Sequence, residues 1–385
     1  MPDRRVLDDA LLTRIAERAP RYDRENAFFT EDLEELVAAG YLRALVPERF
    51  GGLGLTLREV AAEQQRLAAA APATALGVNM HLVWTGVAKT VHERGHDFLD
   101  FLLDEAGRGE IFGFGISEAG NDLVLFGSRT AAEPQEDGGY RFTGTKIFTS
   151  MSPAWTRLGV FGLDDTSPDG PQLVHAVVER DDPGVRILDD WDTLGMRATQ
   201  SRTTVLDGAY ARPDRVFRRL APGPNPDPLI FGIFTNFELL LAAVYTGIGA
   251  RALELGAANA ARRTSVKIGG APLSADPDIR WRIADAALAQ DALAPQIASL
   301  AADLDAQVDH GAQWFRKVVG VKVRATETAR VVVDAAIRVS GGSSYSSGNE
   351  LSRLYRDVLA GVFHPSDDES AHGTVASAVL GPIPH

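Results

Sequence analysis

The chain has 385 residues, 45% of them hydrophobic and 24% charged, with a formal net charge of -13 and no cysteine. A surface this acidic excludes non-specific binding to nucleic acid or to an anionic membrane, because no basic face replaces phosphate counterions. The missing cysteine excludes disulfides, thiolate nucleophiles and cysteine-ligated metals, fits a reducing cytoplasm, and leaves a length that suggests two or three modules.

The opening MPDRRVLDDALLTRIAERAP has basic residues but no apolar core of signal-peptide length. From residue 6 to about 105 the apolar period is helical. EDLEELVAAGYL sets Leu33, Leu36 and Val37 on one face, with Thr30 as expected N-cap and Gly40 as the stop. VPERFGGLG is a break, and Thr56 and Glu59 then stand at capping-box spacing. The apolar segment 73–91 makes a further helix. From 110 to about 216 the period falls to two. YRFTGTKIFTS, RLGVFGL, QLVHAVVER, GVRILDD and RTTVLDGAYA are short β-branched or aromatic runs between Gly, Pro and Asp turns. Strands this close leave no room for crossover helices and predict an antiparallel barrel or sandwich. APGPNPDP resembles a linker. Helices return over 237–261, over 278–305 with a bend near Pro295, and over 308–339, ending at Gly341-Gly342 as an αL cap. The apolar run 239–250 is too short to span a bilayer and reads as a buried helix.

Several motifs invite chemistry. His92-Glu93-Arg94-Gly95-His96 has the H-E-x-x-H spacing, but Gly95 weakens the helix it needs and no third ligand stands out, so no metal site is expected. Gly113-Phe114-Gly115 before Gly120 lacks dinucleotide-loop spacing and reads as a strand. Gly341-Gly342-Ser343-Ser344 allows two readings: backbone N–H groups open to a phosphate, or a helix cap with a polar loop. Glu238 also allows two: a buried carboxyl with a raised pKa that can take a proton, or an acid in the first turn of its helix. Asp367, Asp368 and Glu369 read as helix N-cap and first-turn acids. His364, between Phe363 and a proline, has a restrained backbone.

Six segments then carry a resemblance: LVPERFGGLGLTLREVAAE, FGFGISEAGND, YRFTGTKIFTS, DTLGMRATQS, VKVRATETARVVVDAAIRVSGGSSY and RLYRD. In this order, across nearly the whole chain, they resemble the acyl-CoA dehydrogenase superfamily. The resemblance implies a mostly α fold with a central β-domain: an N-terminal helical domain (1–110), a middle antiparallel β-domain (111–220) and a C-terminal four-helix bundle (221–385). It implies a homotetramer or homodimer with FAD, or FMN in a monooxygenase, between domains and a neighbouring subunit. Ile116, Ser117 and Glu118 would face the flavin ring, and Phe148 would pack on it. Thr149 and Ser150 would donate hydrogen bonds. Gly341 and Gly342 would meet the pyrophosphate across the subunit interface.

Departures from the family pattern are specific. Arg263 stands alone where the family has Arg-x-x-Phe-Gly, Arg338 replaces a Gln, and Asp367 replaces a Thr. The desaturating Glu of the family lies nine residues after the Arg of R-D. Counted from Arg356 that is Pro365, and a count back from the V-L-G end of the last helix agrees. A subset of the family places the base on the first bundle helix, at a position matching Phe237. Glu238 is one residue away, a rotation of about 100°. His364 falls where related flavin monooxygenases carry a His near the flavin. The leading expectation is desaturation of an acyl thioester on CoA or a carrier protein, with electrons passed to an electron-transfer flavoprotein. The base would be Glu238 or an acid of the His364 loop. The alternatives are a two-component monooxygenase supplied by a flavin reductase, with His364 as its polar catalytic group, and a non-catalytic flavin- or acyl-binding relative.

Overall fold

A run of capped helices opens the fold. In this computed structural model residues 4–381 are described, so the outermost limits of the expected first and last domains lie outside the described residues. Asp8 accepts from Leu11 N and starts α1 (Asp9–Glu25). In α2 (Thr30–Ala38) the cap position is Phe29 rather than Thr30, and Leu33 and Leu36 are buried while Val37 is exposed. The capping box of Thr56 and Glu59 is formed at the start of α3 (Leu57–Ala70). After α4 (Pro72–Glu93) and α5 (Asp100–Gly107) the helical domain ends. The H-E-x-x-H helix stops at Glu93, and His92 Nδ1 lies 2.6 Å from Asp100 Oδ1. No metal-holding cluster of His, Asp or Glu occurs among the described residues.

The β-domain is one sheet of β1 (Phe112–Gly115), β2 (Ala131–Pro134), β3 (Tyr140–Thr149), β4 (Arg157–Asp164), β5 (Gln172–Glu179), β6 (Val185–Ile187), β7 (Arg202–Ala211) and β8 (Val216–Leu220). Its order is β6-β7-β3-β2-β4-β5-β8, with β1 also on β4. The expected antiparallel pairing holds except at β4, which β1 and β2 both meet in parallel. β1 arrives directly from the helical domain, so its direction is set by the chain's exit from α5.

The segment read as a linker is partly a helix start. Asp227 accepts from Leu229 N and Pro228 occupies the first turn of α6 (Pro228–Arg262), which begins nine residues before the expected 237. Residues 235–249 of α6 are buried without a break. Such all-round burial belongs to the centre of a bundle, where each leucine contributes about 1.5–3 kcal/mol. α6 is long and apolar enough to cross a membrane, against the expectation from its apolar run, but 89% of its most apolar 18-residue window is buried inside the protein. A two-stranded hairpin follows, β9 (Thr264–Ser265) and β10 (Ala271–Pro272). The expected single bent helix is two, α7 (Pro277–Asp291) and α8 (Leu293–Asp305), parted at Ala292 rather than Pro295. Pro295 sits in the first turn of α8, where a missing N–H costs nothing. α9 (Gln313–Ser340) packs along α6, and α10 (Glu350–Val358) and α11 (Asp368–Leu380) close the bundle. Helix α6 also packs on α3 and α4, so the two helical domains share a core.

Candidate active site

A cavity of about 670 Å³ opens where the three domains meet. Its wall is mainly apolar, with Leu76 and Met80 of α4, Phe114 of β1, and Phe234 and Phe237 of α6. Its polar members include Ser117 after β1, Ser150 after β3, Thr199 and Ser201 just before β7, Glu238 on α6, Arg356 on α10, and His364 and Ser366 between α10 and α11. The cavity therefore gathers Ile116, Ser117, Phe148, Ser150, Glu238, His364 and Pro365 from the expected site residues.

Glu238 lies well inside α6, not in its first turn, so the helix-dipole reading is set aside. The residue is 1% exposed. Its Oε1 accepts from Ser366 Oγ, and its Oε2 is buried with no partner. Burial raises its pKa to about 7, although the Ser366 bond and the Lys322 ammonium both pull the other way. Phe237, at the family's alternative base position, lines the same cavity and stacks on Phe114 with ring centroids 5.7 Å apart.

His364 Nε2 lies 2.8 Å from the Tyr245 hydroxyl. Burial raises the Tyr245 pKa well above 10, so the phenol keeps its proton. Burial, then Lys322, pushes the His364 pKa below its usual value, so the imidazole is neutral. Lys322 had no place in the expected site. It is buried on α9, with Nζ 2.9 Å from Ser366 O and 3.4 Å from both Gly361 O and His364 O. One ammonium thus fixes the backbone of the loop. Its sequence signal was a lysine on the apolar stripe of Val318, Val321, Ala325 and Ala329.

On the opposite wall Phe148 adopts φ 56°, stays half exposed, and meets Trp191 edge-on at 6.2 Å. Behind it the Ser150, Ser201 and Thr199 hydroxyls form a relay with two 2.8 Å contacts. Ser201 and Thr199, also unassigned from sequence, belong to the GMRATQS segment. Thr149 is buried but does not line the cavity, and its Oγ1 has no partner. Glu118 does not face the cavity as expected. Lys146 Nζ at 2.6 Å, Arg129 N and Thr130 turn it into the β-domain. Burial would raise its pKa, but Lys146 and these donors outweigh that and lower it to about 2.

The remaining expected residues stand apart from the cavity within one chain. Asp367 is the N-cap of α11 and accepts from Ser370 N at 3.0 Å. Arg263 Nη1 closes the end of α9, 3.0 Å from Val339 O. Arg338 is exposed and pairs with Asp334 at 2.6 Å. Gly341 has φ 69° and ψ -166°, a cap conformation outside αL that still favours glycine, and neither it nor Gly342 lines the cavity.

Arg356 lines the cavity, and Asp357, next to it in sequence, does not. Arg356 Nη1 reaches Asp23 Oδ1 of α1 at 2.8 Å and Leu194 O at 2.9 Å. Asp357 Oδ1 accepts from Met196 N at 2.6 Å. Gly195 lies so close to this corner that a Cβ there would sit 2.2 Å from Arg356 O.

This geometry can be set beside known proteins. Residues 4–99 match the acyl-CoA dehydrogenase N-terminal domain and residues 239–368 the acyl-CoA dehydrogenase C-terminal domain. The chain is 31% identical over 369 residues to L-evernosamine nitrososynthase of Micromonospora sp., covering 92% of this chain and 84% of that one. It is 28% identical to dibenzothiophene monooxygenase of Rhodococcus qingshengii, over 89% of this chain and 85% of the relative. The solved structure of KijD3 in complex with FMN and dTDP-3-amino-2,3,6-trideoxy-4-keto-3-methyl-D-glucose superposes with a TM-score of 0.86 at 28% identity, covering 97% of this chain and 92% of that one. With both terminal domains matched and the cavity formed at their junction with the sheet, this chain is an oxidoreductase-type enzyme that belongs to the acyl-CoA dehydrogenase family.

Proposed function

We propose that this protein is a flavin-dependent monooxygenase that oxidises a heteroatom of a small molecule, with reduced flavin supplied by a separate reductase. One observation carries the reading. Pro365 lines the cavity where a desaturase would aim its carboxylate, and the adjacent His364 is a neutral imidazole oriented by Tyr245. The nitrososynthase and dibenzothiophene monooxygenase relatives support it.

The residues present fit a flavin, FMN or FAD. The Ser117 hydroxyl and the Ser150, Ser201 and Thr199 relay offer polar contacts beside an apolar slot wide enough for a ring system. Ile116, Ser117, Phe148 and Ser150 would hold the ring. Arg263, Arg338, Gly341 and Gly342 of a neighbouring subunit would meet the phosphate end in a homo-oligomer. Bound in reduced form, a flavin supplies two electrons and the centre that activates oxygen. The chain itself positions and excludes. His364, a neutral imidazole in the cavity wall, can hydrogen-bond negative charge developing on an oxygen. Lys322 fixes that loop, and the apolar wall keeps water out.

A second reading, desaturation of an acyl thioester, rests on Glu238. Its raised pKa suits proton abstraction, and its free Oε2 faces no competing donor. The two readings separate in the flavin absorbance spectrum. Product formed only with reduced flavin and oxygen supports the monooxygenase. Bleaching of oxidised flavin by an acyl thioester, without added reductant, would overturn it in favour of desaturation. A protein that takes up no flavin fails both.

A further inference from the structure

On one side of His364 the loop has little packing to hold it: Val362 and Phe363 are 42% and 77% exposed. The hold comes from three buried side chains on α6 and α9, two helices that pack together. Glu238 and Tyr245 stand seven residues apart on α6, two turns along one face. Tyr245 meets the His364 ring at Nε2, 2.8 Å away. Two residues further on, Ser366 Oγ donates to Glu238 Oε1. From α9, Lys322 Nζ donates to Ser366 O at 2.9 Å and lies 3.4 Å from His364 O. Ser366 is therefore gripped at both its hydroxyl and its carbonyl. Its backbone needs that grip. Ser366 adopts φ 59°, a left-handed conformation that a serine keeps only where its surroundings impose it. Pro365, just before it, disfavours a helical backbone at His364. Glu238 Oε2 is fully buried with no hydrogen-bond partner, so the carboxyl serves this loop rather than a ligand.

We propose that Ser366 is a positioning residue of the active site. Its hydroxyl bond to Glu238 and its carbonyl bond to Lys322 hold the left-handed turn that sets His364 in the cavity wall, and Glu238 acts through Ser366 as an anchor, not as a base. The inference rests on the monooxygenase reading for its catalytic consequence, because that reading makes His364 the polar group of the site. The positioning itself stands on the contacts of Ser366.

Two measurements test it. The first is the NMR titration of the His364 imidazole in the full, flavin-free chain, with its signal assigned by loss in His364→Gln. Burial and the Lys322 ammonium keep this ring neutral, and the Tyr245 hydroxyl faces it. The native signal is expected to stay constant between about pH 5 and 9. Ser366→Gly accepts the left-handed turn but removes the hydroxyl, and Glu238→Leu removes its acceptor. In both, the ring is expected to reach water and titrate at about 6.5. Glu238→Gln keeps an acceptor oxygen and is expected to keep the native titration. The second measurement is hydrogen peroxide released when reduced FMN and oxygen are mixed with each protein, two electrons and two protons passing from the flavin to O2. A displaced His364 is expected to raise this release at least ~10-fold in Ser366→Gly. The proposal is overturned by a native ring that titrates at about 6.5, by a Ser366→Gly ring that titrates as the native one does, or by Glu238→Gln behaving like Glu238→Leu. Ser366→Gly decides alone if Glu238→Leu does not fold. A moved titration with native peroxide release overturns the catalytic consequence. A native chain that releases peroxide as free FMN does sinks the monooxygenase reading, and the titration still decides the positioning.

Discussion

The Tyr245 hydroxyl lies 2.8 Å from His364 Nε2 and ties the centre of α6 to the loop that follows α10. The contact fixes the orientation of the imidazole. Removing it with Tyr245→Phe leaves Nε2 without this partner and frees the ring to turn. Turnover is expected to fall about 10-fold while FMN uptake stays near that of the native protein. Steady-state rates paired with a flavin titration check this. A variant as active as the native chain would remove His364 orientation from the mechanism.

Lys322→Met tests the ammonium that holds the loop. It removes a cation that Ser366 O, His364 O and Gly361 O share. Stability is expected to drop on the order of 2–4 kcal/mol, measured by chemical denaturation. Because Lys322 pulls the Glu238 pKa down, the same change is expected to push that pKa higher still.

Glu238 gives the protein a pH signature. Its pKa is raised from 4.5 to about 7 by burial, opposed by Ser366 and Lys322. The fold therefore tolerates the protonated form better. This group's stability is fully present below about pH 4.5 and is lost as pH rises towards 7, a difference of about 3 kcal/mol. Asp32 and Asp357 are also raised by burial, both to about 6, so the native curve alone is ambiguous. The difference between Glu238→Gln and the native chain isolates the effect. The variant is expected to match native stability at low pH and exceed it above pH 7. Parallel curves across the range would refute it.

Lys146→Met leaves Glu118 charged in the β-domain interior, where Lys146 is 0% exposed and within 2.6 Å. Loss of one partner from a buried pair costs about 3–5 kcal/mol. Glu118 follows Ile116 and Ser117 directly, so FMN uptake is expected to weaken along with stability. Denaturation and flavin titration of one preparation check both. Uptake unchanged in a destabilised protein would confine the pair to a structural role.

The sequence disclosed what local chemistry controls. The Thr56–Glu59 box, the β-branched runs and the stop at Gly341 all act within a few residues, and each recurs in the structure. Pro365 was located by counting, and the cavity contains it. Long-range relations stayed hidden. The expected helix start at 237 leaves Glu238 open between a first-turn acid and a buried carboxyl, whereas Asp227 and Pro228, within APGPNPDP, are the cap and first turn that put it well inside α6. Glu118 was turned away from the cavity by Lys146, 28 residues later, a contact that no strand pattern announces. Lys322 reaches a loop more than 35 residues on, and only its place on an apolar stripe hinted at burial. Asp367 shows the reverse: its local reading as a helix cap proved the observed one, and the family position did not bring it to the cavity.

Arg356 grips α1 at Asp23 and the middle domain at Leu194, 333 and 162 positions away along the chain. Beside it Asp357 holds Met196 N. This corner of the cavity wall can therefore close only after segments from the two ends and the middle of the chain have docked. Any ligand that needs the closed wall binds the finished molecule and no partly assembled intermediate. Occupancy would then act on the chain as a whole: it would raise the unfolding barrier of all three domains together, and a nick anywhere between Asp23 and Arg356 that let one domain drift would release the ligand before it unfolded the protein.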